Sequence, residues 1–291
     1  MGVLFVILSA ISFGISNAYW KKAIIEKPIY VVIFMRGLFA SGLFGLILGL
    51  NYFFSFVPVV LLPKSVVPAI TYIYAVLLCI FSGFGLYFFV KSIQTGRVSI
   101  VAPLSSINIF SILTAVFILH ENWKNEYFIQ IMLIIIGSLF IYNAPAVNSK
   151  KLISINTILT SVLAAFFWGI SYALFKVAIQ KIGALPFAFI LELTITCFAF
   201  CIIIYNKVFF EIVKGNKIKD YIILSSLLFC GTFFINIGLL SVPIITVNIL
   251  TNITLLVSLL LGYIMYNEQL SLKEWIGVSF ILMGILTTAF L

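Results

Sequence analysis

The chain of 291 residues has very little charge. Only 9% of its residues are charged, with 8 acidic and 17 basic side chains. A soluble globular domain carries about 25% charged residues, so this composition excludes that class. The mean hydropathy of +1.27 and the hydrophobic content of 64% instead indicate an integral membrane protein. We expect no appended soluble domain, because little sequence remains outside the apolar runs.

Groups that bind metals or drive catalysis are equally scarce. There is one histidine, and the four cysteines (Cys79, Cys197, Cys201 and Cys230) lie inside apolar runs without a C-x-x-C pair. We therefore expect buried thiols, and neither a disulfide framework nor a metal site. The sequence has no G-x-S-x-G, H-E-x-x-H or phosphate-binding loop motif. These absences predict no cofactor and no enzymatic activity, and nothing indicates nucleic acid as a partner.

Ten apolar runs follow one another along the chain. About 20 apolar residues cross the roughly 30 Å hydrocarbon core of a bilayer, so each run predicts one transmembrane helix. The predicted helices lie at about residues 3–20, 29–50, 68–90, 98–119, 127–144, 157–175, 185–205, 221–240, 244–266 and 275–290. The first run has no basic segment before it and no small-residue cleavage site, so we expect a retained helix and not a signal peptide.

The two halves of the chain match each other in an ordered series of places. The tripeptide Gly-Ile-Ser at 14–16 recurs at 169–171, an offset of 155 residues, and Glu121 meets Glu268 at an offset of 147. A five-helix unit written twice must enter the membrane from opposite sides, because five is odd. The sequence thus predicts an all-α polytopic membrane protein with ten transmembrane helices in two inverted five-helix repeats. We place the first repeat at residues 1–146 and the second at residues 147–291.

Basic residues are unevenly distributed between the predicted connections. Twelve lie in connections that follow odd-numbered helices, and four lie in connections that follow even-numbered helices. Positively charged loops stay in the cytoplasm. We therefore predict a multi-pass protein of the bacterial inner membrane with both termini outside.

Arg36 and Glu192 are the only arginine and acidic residues deep inside predicted helices. A charge at that depth costs about 3 kcal/mol or more unless it is paired or solvated. A functional interpretation gives Arg36 the carboxylate or another anion of a solute, and gives Glu192 a substrate amine or a transported proton. The structural alternative is a mutual pair, or an Arg36 side chain that extends to the nearer interface. The sequence leaves both interpretations open.

Neutral polar and aromatic residues on helix faces are further candidates for a solute site. Amides supply donors and acceptors that suit zwitterionic or amide-bearing solutes, and aromatic rings supply flat walls for an apolar solute. The alternatives are interhelical hydrogen bonds, worth about 0.6 kcal/mol each, and aromatic anchoring at the membrane interface. With Arg36 and Glu192, the predicted substrate-binding residues are Asn17, Tyr87, Ser105, Asn108, Trp168, Tyr172, Asn236, Asn248 and Asn252.

These features resemble the drug/metabolite transporter superfamily, and within it the EamA-type carriers. The resemblance rests on the two five-helix copies, Trp168-Gly169 with its counterpart Phe13-Gly14, Arg36, Ala102-Pro103-Leu104, Glu121 with Gly137, and Glu268 with Gly284. It implies a ten-helix carrier for small metabolites with a central cavity between helices 1 to 4 and 6 to 9. The sequence departs from the family in lacking a proline near Ile109 and Leu255, and in having Phe13 in place of a tryptophan.

We therefore expect a secondary transporter that moves a small organic metabolite by alternating access. An amino acid or a related solute is the expected substrate, and export is a candidate direction. The alternatives are a drug or cationic-compound efflux carrier, a non-transporting membrane scaffold or receptor, and an intramembrane enzyme, which would need convergent catalytic groups. The expected partners are the solute, membrane lipid and a proton as coupling ion, with the protein as a monomer or homodimer.

Overall fold

The computed structural model describes residues 1–25, 27–63, 66–105, 109–123, 125–142, 154–209, 218–268 and 271–287. Within these ranges the regular elements are helices, and no strand is present. The α-helices are α1 (Gly2–Ala23), α2 (Ile29–Phe54), α3 (Ala69–Thr95), α4 (Val98–Ser105), α5 (Ile109–Phe117), α6 (Asn125–Tyr142), α7 (Ile155–Ile182), α8 (Ala184–Tyr205), α9 (Ile218–Ser241), α10 (Ile244–Thr251), α11 (Ile253–Tyr266) and α12 (Leu272–Leu286). A short 3-10 helix at Val59–Leu61 lies between α2 and α3.

Helix length and hydropathy identify the protein as a multi-pass membrane protein. In the described part of the chain, seven helical segments are long and apolar enough to cross a bilayer: α1, α2, α3, α7, α8, α9 and the pair α10–α11. Shorter apolar helices run over Tyr127–Phe140 and Trp275–Gly284. Large hydrophobic side chains such as Leu46 and Leu77 are exposed on the outer helix surfaces, where lipid is the solvent that suits them.

One of the predicted helices is interrupted. The run at 244–266 contains α10 and α11, which meet at Asn252, and the run at 98–119 contains α4 and α5 on either side of residues outside the described ranges. The Asn252 amide nitrogen donates hydrogen bonds to the carbonyl oxygens of Asn248 and Ile249, at 2.8 and 3.1 Å. A side chain that bonds to the preceding turn competes with the helical hydrogen-bond ladder. An asparagine therefore accompanies this interruption, although the family proline near Leu255 is missing.

Helices of the first half pack antiparallel against helices of the second half. In the α1–α9 pair, the Ser9 hydroxyl donates to the Gly231 carbonyl at 2.8 Å, and Lys22 at the end of α1 pairs with Asp220 at the start of α9 at 2.8 Å. In the pair α3–α7, hydroxyls at the end of α3 bond to hydroxyls at the start of α7, so these helices are antiparallel as well. Helix α2 packs on α8, and α6 packs on α12. The contact surface between the two halves therefore runs through the centre of the bundle.

The repeated glycine of the Gly-Ile-Ser motif allows close helix approach in both halves. A Cβ atom at Gly14 would lie 2.5 Å from Cβ of Val257 in α11, and a Cβ atom at Gly169 would lie 2.7 Å from Cβ of Phe110 in α5. Real Cβ atoms do not approach so closely, and small residues at such positions let membrane helices pack backbone to backbone. The duplicated motif thus positions α1 beside α11 and α7 beside α5.

Candidate functional site

A cavity of about 150 Å³ lies where the two halves meet. Helices α1 to α4 line it from the first half, and helices α7 to α11 line it from the second. Eight of the predicted substrate-binding residues border this cavity: Asn17, Arg36, Ser105, Trp168, Tyr172, Glu192, Asn236 and Asn248. These residues span most of the sequence, so only the packing of the two halves brings them together.

Arg36 of α2 and Glu192 of α8 form an ion pair in the wall of the cavity. Nη1 of Arg36 bonds to Oε2 of Glu192, and the two side chains are only 2% and 3% exposed. The Thr232 hydroxyl donates to Oε1 of Glu192 at 3.2 Å, and the guanidinium carbon of Arg36 lies 5.9 Å from the ring centre of Trp20. The pair therefore has support from α1 and α9 as well as from its own helices.

The ion pair bears on both interpretations of these two charges. Helices α2 and α8 enter the bundle from opposite directions, and the long side chains span the difference in depth between their backbones. The mutual pair that the sequence left open is present. Both residues also border the cavity, so pairing does not remove them from contact with a solute.

Aromatic rings form one wall of the cavity. Trp168 stacks on Tyr172 with ring centres 6.2 Å apart and planes at 30°, and it also contacts Phe89 at 5.0 Å. Gly85 makes room for this ring, because a Cβ atom there would lie 2.6 Å from Cδ1 of Trp168. The wall offers a flat apolar surface to the cavity.

The cavity amides hold neighbouring helices together, and two of the three bonds join the two halves. Asn17 donates to the Ser258 hydroxyl at 3.0 Å, and Asn248 donates to the Ser111 hydroxyl at 2.9 Å. Asn236 donates to the carbonyl of Ala184 at 3.3 Å. Each amide therefore has an interhelical bond, and each still borders the cavity with the rest of its side chain.

The structure places two predicted residues elsewhere. Tyr87 is not among the residues that line the cavity; its ring contacts Phe88 at 5.6 Å. Asn252 borders a second cavity of about 430 Å³ between α4, α5, α6, α7 and α10, which is lined mainly by isoleucine and leucine side chains. The amide of Asn252 turns toward the helix interruption instead of the central cavity. Asn108 lies outside the described residues.

The prediction omitted several residues that border the cavity. Ser82 and Phe89 of α3 and Thr251 and Thr254 beside the Asn252 interruption are the main examples. Ser82, Leu86 and Phe89 lie four and three residues apart, which is the spacing of one helix face. That spacing could have identified the face, but the sequence does not say which face of a lipid-surrounded apolar helix points inward.

At each end of the bundle, a glutamate binds the start of a helix in the other half. Glu121, after α5, accepts hydrogen bonds from the backbone N–H groups of Ile244 and Ile245 at 3.0 and 3.3 Å, and from Nζ of Lys176 in α7 at 2.9 Å. Carboxylates at helix N-termini satisfy unpaired N–H groups and interact favourably with the helix dipole. The first half therefore caps α10 of the second half.

Glu268, after α11, makes the equivalent contacts in the opposite sense. It accepts hydrogen bonds from the N–H groups of Val98 and Ser99 at 3.3 and 3.1 Å, and from Nζ of Lys21 at 2.9 Å. Burial alone would raise the pKa of the Glu268 carboxyl, but the charge of Lys21 and the hydrogen bonds from Lys21 and Ser99 outweigh it and lower the pKa. The second half therefore caps α4 of the first half.

The two capping clusters lie at opposite ends of the bundle. Lys21 is beside Lys22, which pairs with Asp220 at the start of α9, whereas Lys176 lies 3.4 Å from the carbonyl of Val242, just beyond the end of α9. The cavity lies between them. Each end thus contains a helix N-terminus, a carboxylate and a lysine drawn from both halves.

Comparison of the sequence with known protein families identifies the family of this chain. The chain matches the EamA-like transporter family over residues 1–143 and 155–290. It belongs to that family. As an EamA-like transporter it is a membrane transport protein of the drug/metabolite transporter superfamily, which confirms the resemblance inferred from the sequence, and a family of transporters fits the expectation of a non-enzyme.

A solved structure supports the fold of this EamA-like transporter. One crystal structure, described only as that of a protein, has 13% sequence identity and a TM-score of 0.70, and the match covers 98% of this chain and 94% of that chain. At this identity the likeness bears on the fold alone. No curated protein matches the chain.

Proposed function

We propose that the protein is a secondary carrier that moves a small organic solute, an amino acid or a related metabolite, through the central cavity by alternating access. The observation that carries this proposal is one cavity that both halves line and that contains a charge pair, an aromatic wall and amides. A midplane site between two repeats is the arrangement through which many secondary transporters expose a solute to each side in turn.

The architecture in this proposal is ten crossings in two inverted five-helix repeats. The antiparallel pairing of α1 with α9 and of α3 with α7 supports a pseudo-two-fold axis in the membrane plane. The reciprocal caps support it further, because Lys21, Glu268 and α4 are related to Lys176, Glu121 and α10 by exchanging the two halves.

The capping clusters suggest how the two ends alternate. Opening the end at Glu268 separates its carboxylate from Lys21 and from the start of α4, while the Glu121 cluster can stay formed at the other end. Rocking the halves about the pseudo-two-fold then exchanges which cluster is broken. Each conformation keeps at least one cluster, so the cavity does not open to both sides at once.

Uptake into proteoliposomes tests the proposal. We expect the purified protein to move at least one solute from a panel of amino acids, nucleoside-like metabolites and cationic drugs, and Arg36→Ala and Glu192→Gln to reduce that flux at unchanged expression. Asp220→Asn breaks a peripheral ion pair outside the cavity and is the matched control. Wild-type flux in both cavity variants would remove the pair from the solute site.

Two further features remain predictions within this proposal. A proton is the expected coupling ion, so an imposed pH gradient should change the flux. Both termini are expected outside the cell, which a tag accessible only after permeabilisation would contradict.

Efflux of cationic drugs is the second candidate function. Glu192 and the rings of Trp20, Trp168 and Tyr172 border the cavity, and carboxylates and aromatic rings bind cations. Arg36 already occupies the carboxylate. The same panel separates the two functions, because a cation exporter moves the drugs in preference to the amino acids.

A further inference from the structure

We propose that the Arg36–Glu192 pair makes the solute site electrically neutral and thereby selects solutes without net charge, with Glu192 excluding anions and Arg36 excluding cations. This inference rests on the proposed transport function and specifies its substrate class. In this inference the two residues select solutes by their net charge. In a direct binding role, Arg36 would instead bind a negative group of the solute and Glu192 a positive one.

The first observation is the charge balance of the cavity. Among the described residues that line it, Arg36 and Glu192 are the only charged ones, so their charges cancel. Both are nearly inaccessible, and the other polar lining groups are hydroxyls, amides and two indoles. A charged solute would lose its hydration on entering the cavity, and it would find no unpaired opposite charge there to replace that hydration.

The second observation is that the pair is held from several sides. Thr232 donates to the second carboxylate oxygen of Glu192 at 3.2 Å. The backbone carbonyl of Arg36 accepts a hydrogen bond from Ser225 of α9 at 2.8 Å, which holds the turn of α2 that carries the arginine. Trp20 lies beside the guanidinium. An anion approaching Arg36 therefore also approaches Glu192, and attraction to one is offset by repulsion from the other.

The third observation is that two buried polar atoms beside the cavity lack partners. They are Nε of Arg36, a donor, and Oγ of Ser105. Unsatisfied buried polar atoms cost free energy, and a solute that supplies a neutral oxygen acceptor removes that cost. Together with the ring of Trp168, these atoms indicate a solute that has no net charge, carries an oxygen acceptor and presents an apolar or flat face.

The test uses one scaffold in four charge states at pH 6. Phenylalanine is zwitterionic, N-acetylphenylalaninamide is uncharged, N-acetylphenylalanine is an anion and phenylalaninamide is a cation. We expect wild-type proteoliposomes, held at zero membrane potential, to take up the two forms without net charge in preference to the two ions. Quenching of tryptophan fluorescence, to which Trp20 and Trp168 in the cavity contribute, measures binding independently of transport.

Removing one charge should change the preference in a defined direction. Glu192→Gln should raise the ratio of anion to uncharged-form uptake by about tenfold or more, and Arg36→Gln should do the same for the cation. The double variant Arg36→Gln/Glu192→Gln has a neutral cavity again and should regain the wild-type preference. Asp220→Asn changes the charge of the protein by the same amount as Glu192→Gln, but outside the cavity, and should leave the ratio unchanged.

The outcomes separate the inference from the function beneath it. Transport with unchanged charge preference in both single variants, or a wild type that prefers an ion, overturns the inference and leaves the carrier intact. A wild type that neither binds nor moves any of the four contradicts the proposed function and the inference with it. If a single variant loses its fold, the double variant decides: preference for an ion overturns the inference, and preference for the neutral forms supports it.

Discussion

Glu268→Gln should open one end of the bundle selectively. The substitution keeps the size of the side chain and removes its charge, so it breaks the ion pair with Lys21 and leaves one oxygen to accept from the N–H groups of Val98 and Ser99. The perturbation is therefore confined to one of the two capping clusters. The equivalent change at Glu121 acts at the other end.

The magnitude follows from the contacts that are lost. Hydrogen bonds to charged groups contribute about 1.5–3 kcal/mol each. Glu268→Gln loses the bond to Lys21 and one backbone bond, but Lys21 is 29% exposed and recovers part of its solvation. We expect a net cost of about 2–3 kcal/mol to conformations in which this end is closed, which corresponds to a shift of about 30- to 150-fold in the opening equilibrium.

Labelling from each side of the membrane measures the shift. A cysteine at Thr251 in the cavity wall, in a background without the four native cysteines, reports access of an impermeant maleimide in right-side-out and inside-out vesicles. Glu268→Gln should accelerate labelling from one side and Glu121→Gln from the other. Asp220→Asn, at the same end as Glu268 but in a partly exposed pair, should have little effect. Acceleration from the same side in both variants, or in neither, would refute the alternating role of the caps.

Three further predictions concern stability. Glu192→Ala should lower the free energy of unfolding in mixed micelles by about 3–5 kcal/mol, because it leaves the Arg36 charge buried and unpaired. Adding Arg36→Met should recover part of this stability. Equal losses of stability in the single and double variants would contradict this prediction. Gly169→Ala should lower the stability by about 1–3 kcal/mol, because the added methyl group clashes with α5. Gly49→Ala, where the added methyl group meets no atom within 4 Å, should lower it far less. Similar losses of stability at both glycines would argue against the close approach of α7 and α5. The folded-state pKa of Glu268 lies below its ordinary value of 4.5, so the stability that its carboxylate contributes is complete above that pH and is lost as the pH falls through the folded pKa. The difference in stability between wild type and Glu268→Gln should therefore become smaller on acidification. A constant difference from pH 7 to pH 3 would be inconsistent with this pKa shift.

Sequence reasoning was most successful where a rule acts locally. The bilayer requires about 20 consecutive apolar residues per crossing, so each of the ten predicted runs contains helix in the structure, although α7 extends to Ile182, seven residues past the prediction. The interruption at Asn252 was missed, because an asparagine in an apolar run bonds either to its own helix or to a neighbour, and the local pattern is the same in both cases.

Site residues were predicted by type and not by position in space. A charge within an apolar helix is conspicuous, which identified Arg36 and Glu192. Tyr87 was chosen because aromatic rings bind flat solutes, but rings also fill gaps between helices and face lipid. The four residues missed around Ser82 and Thr254 carry no charge and resemble ordinary packing residues.

The amino-acid sequence by itself determined the class of the protein, its helices, its duplication and the two buried charges that demand a partner. These properties follow from hydropathy, length and internal similarity, which depend on neighbouring residues or on a direct comparison of the halves. Only the tertiary structure decided that Arg36 meets Glu192, 156 residues away, and that each half caps a helix of the other. Those contacts depend on which helix faces meet, and in a lipid solvent hydrophobicity alone does not distinguish an inward face from an outward one.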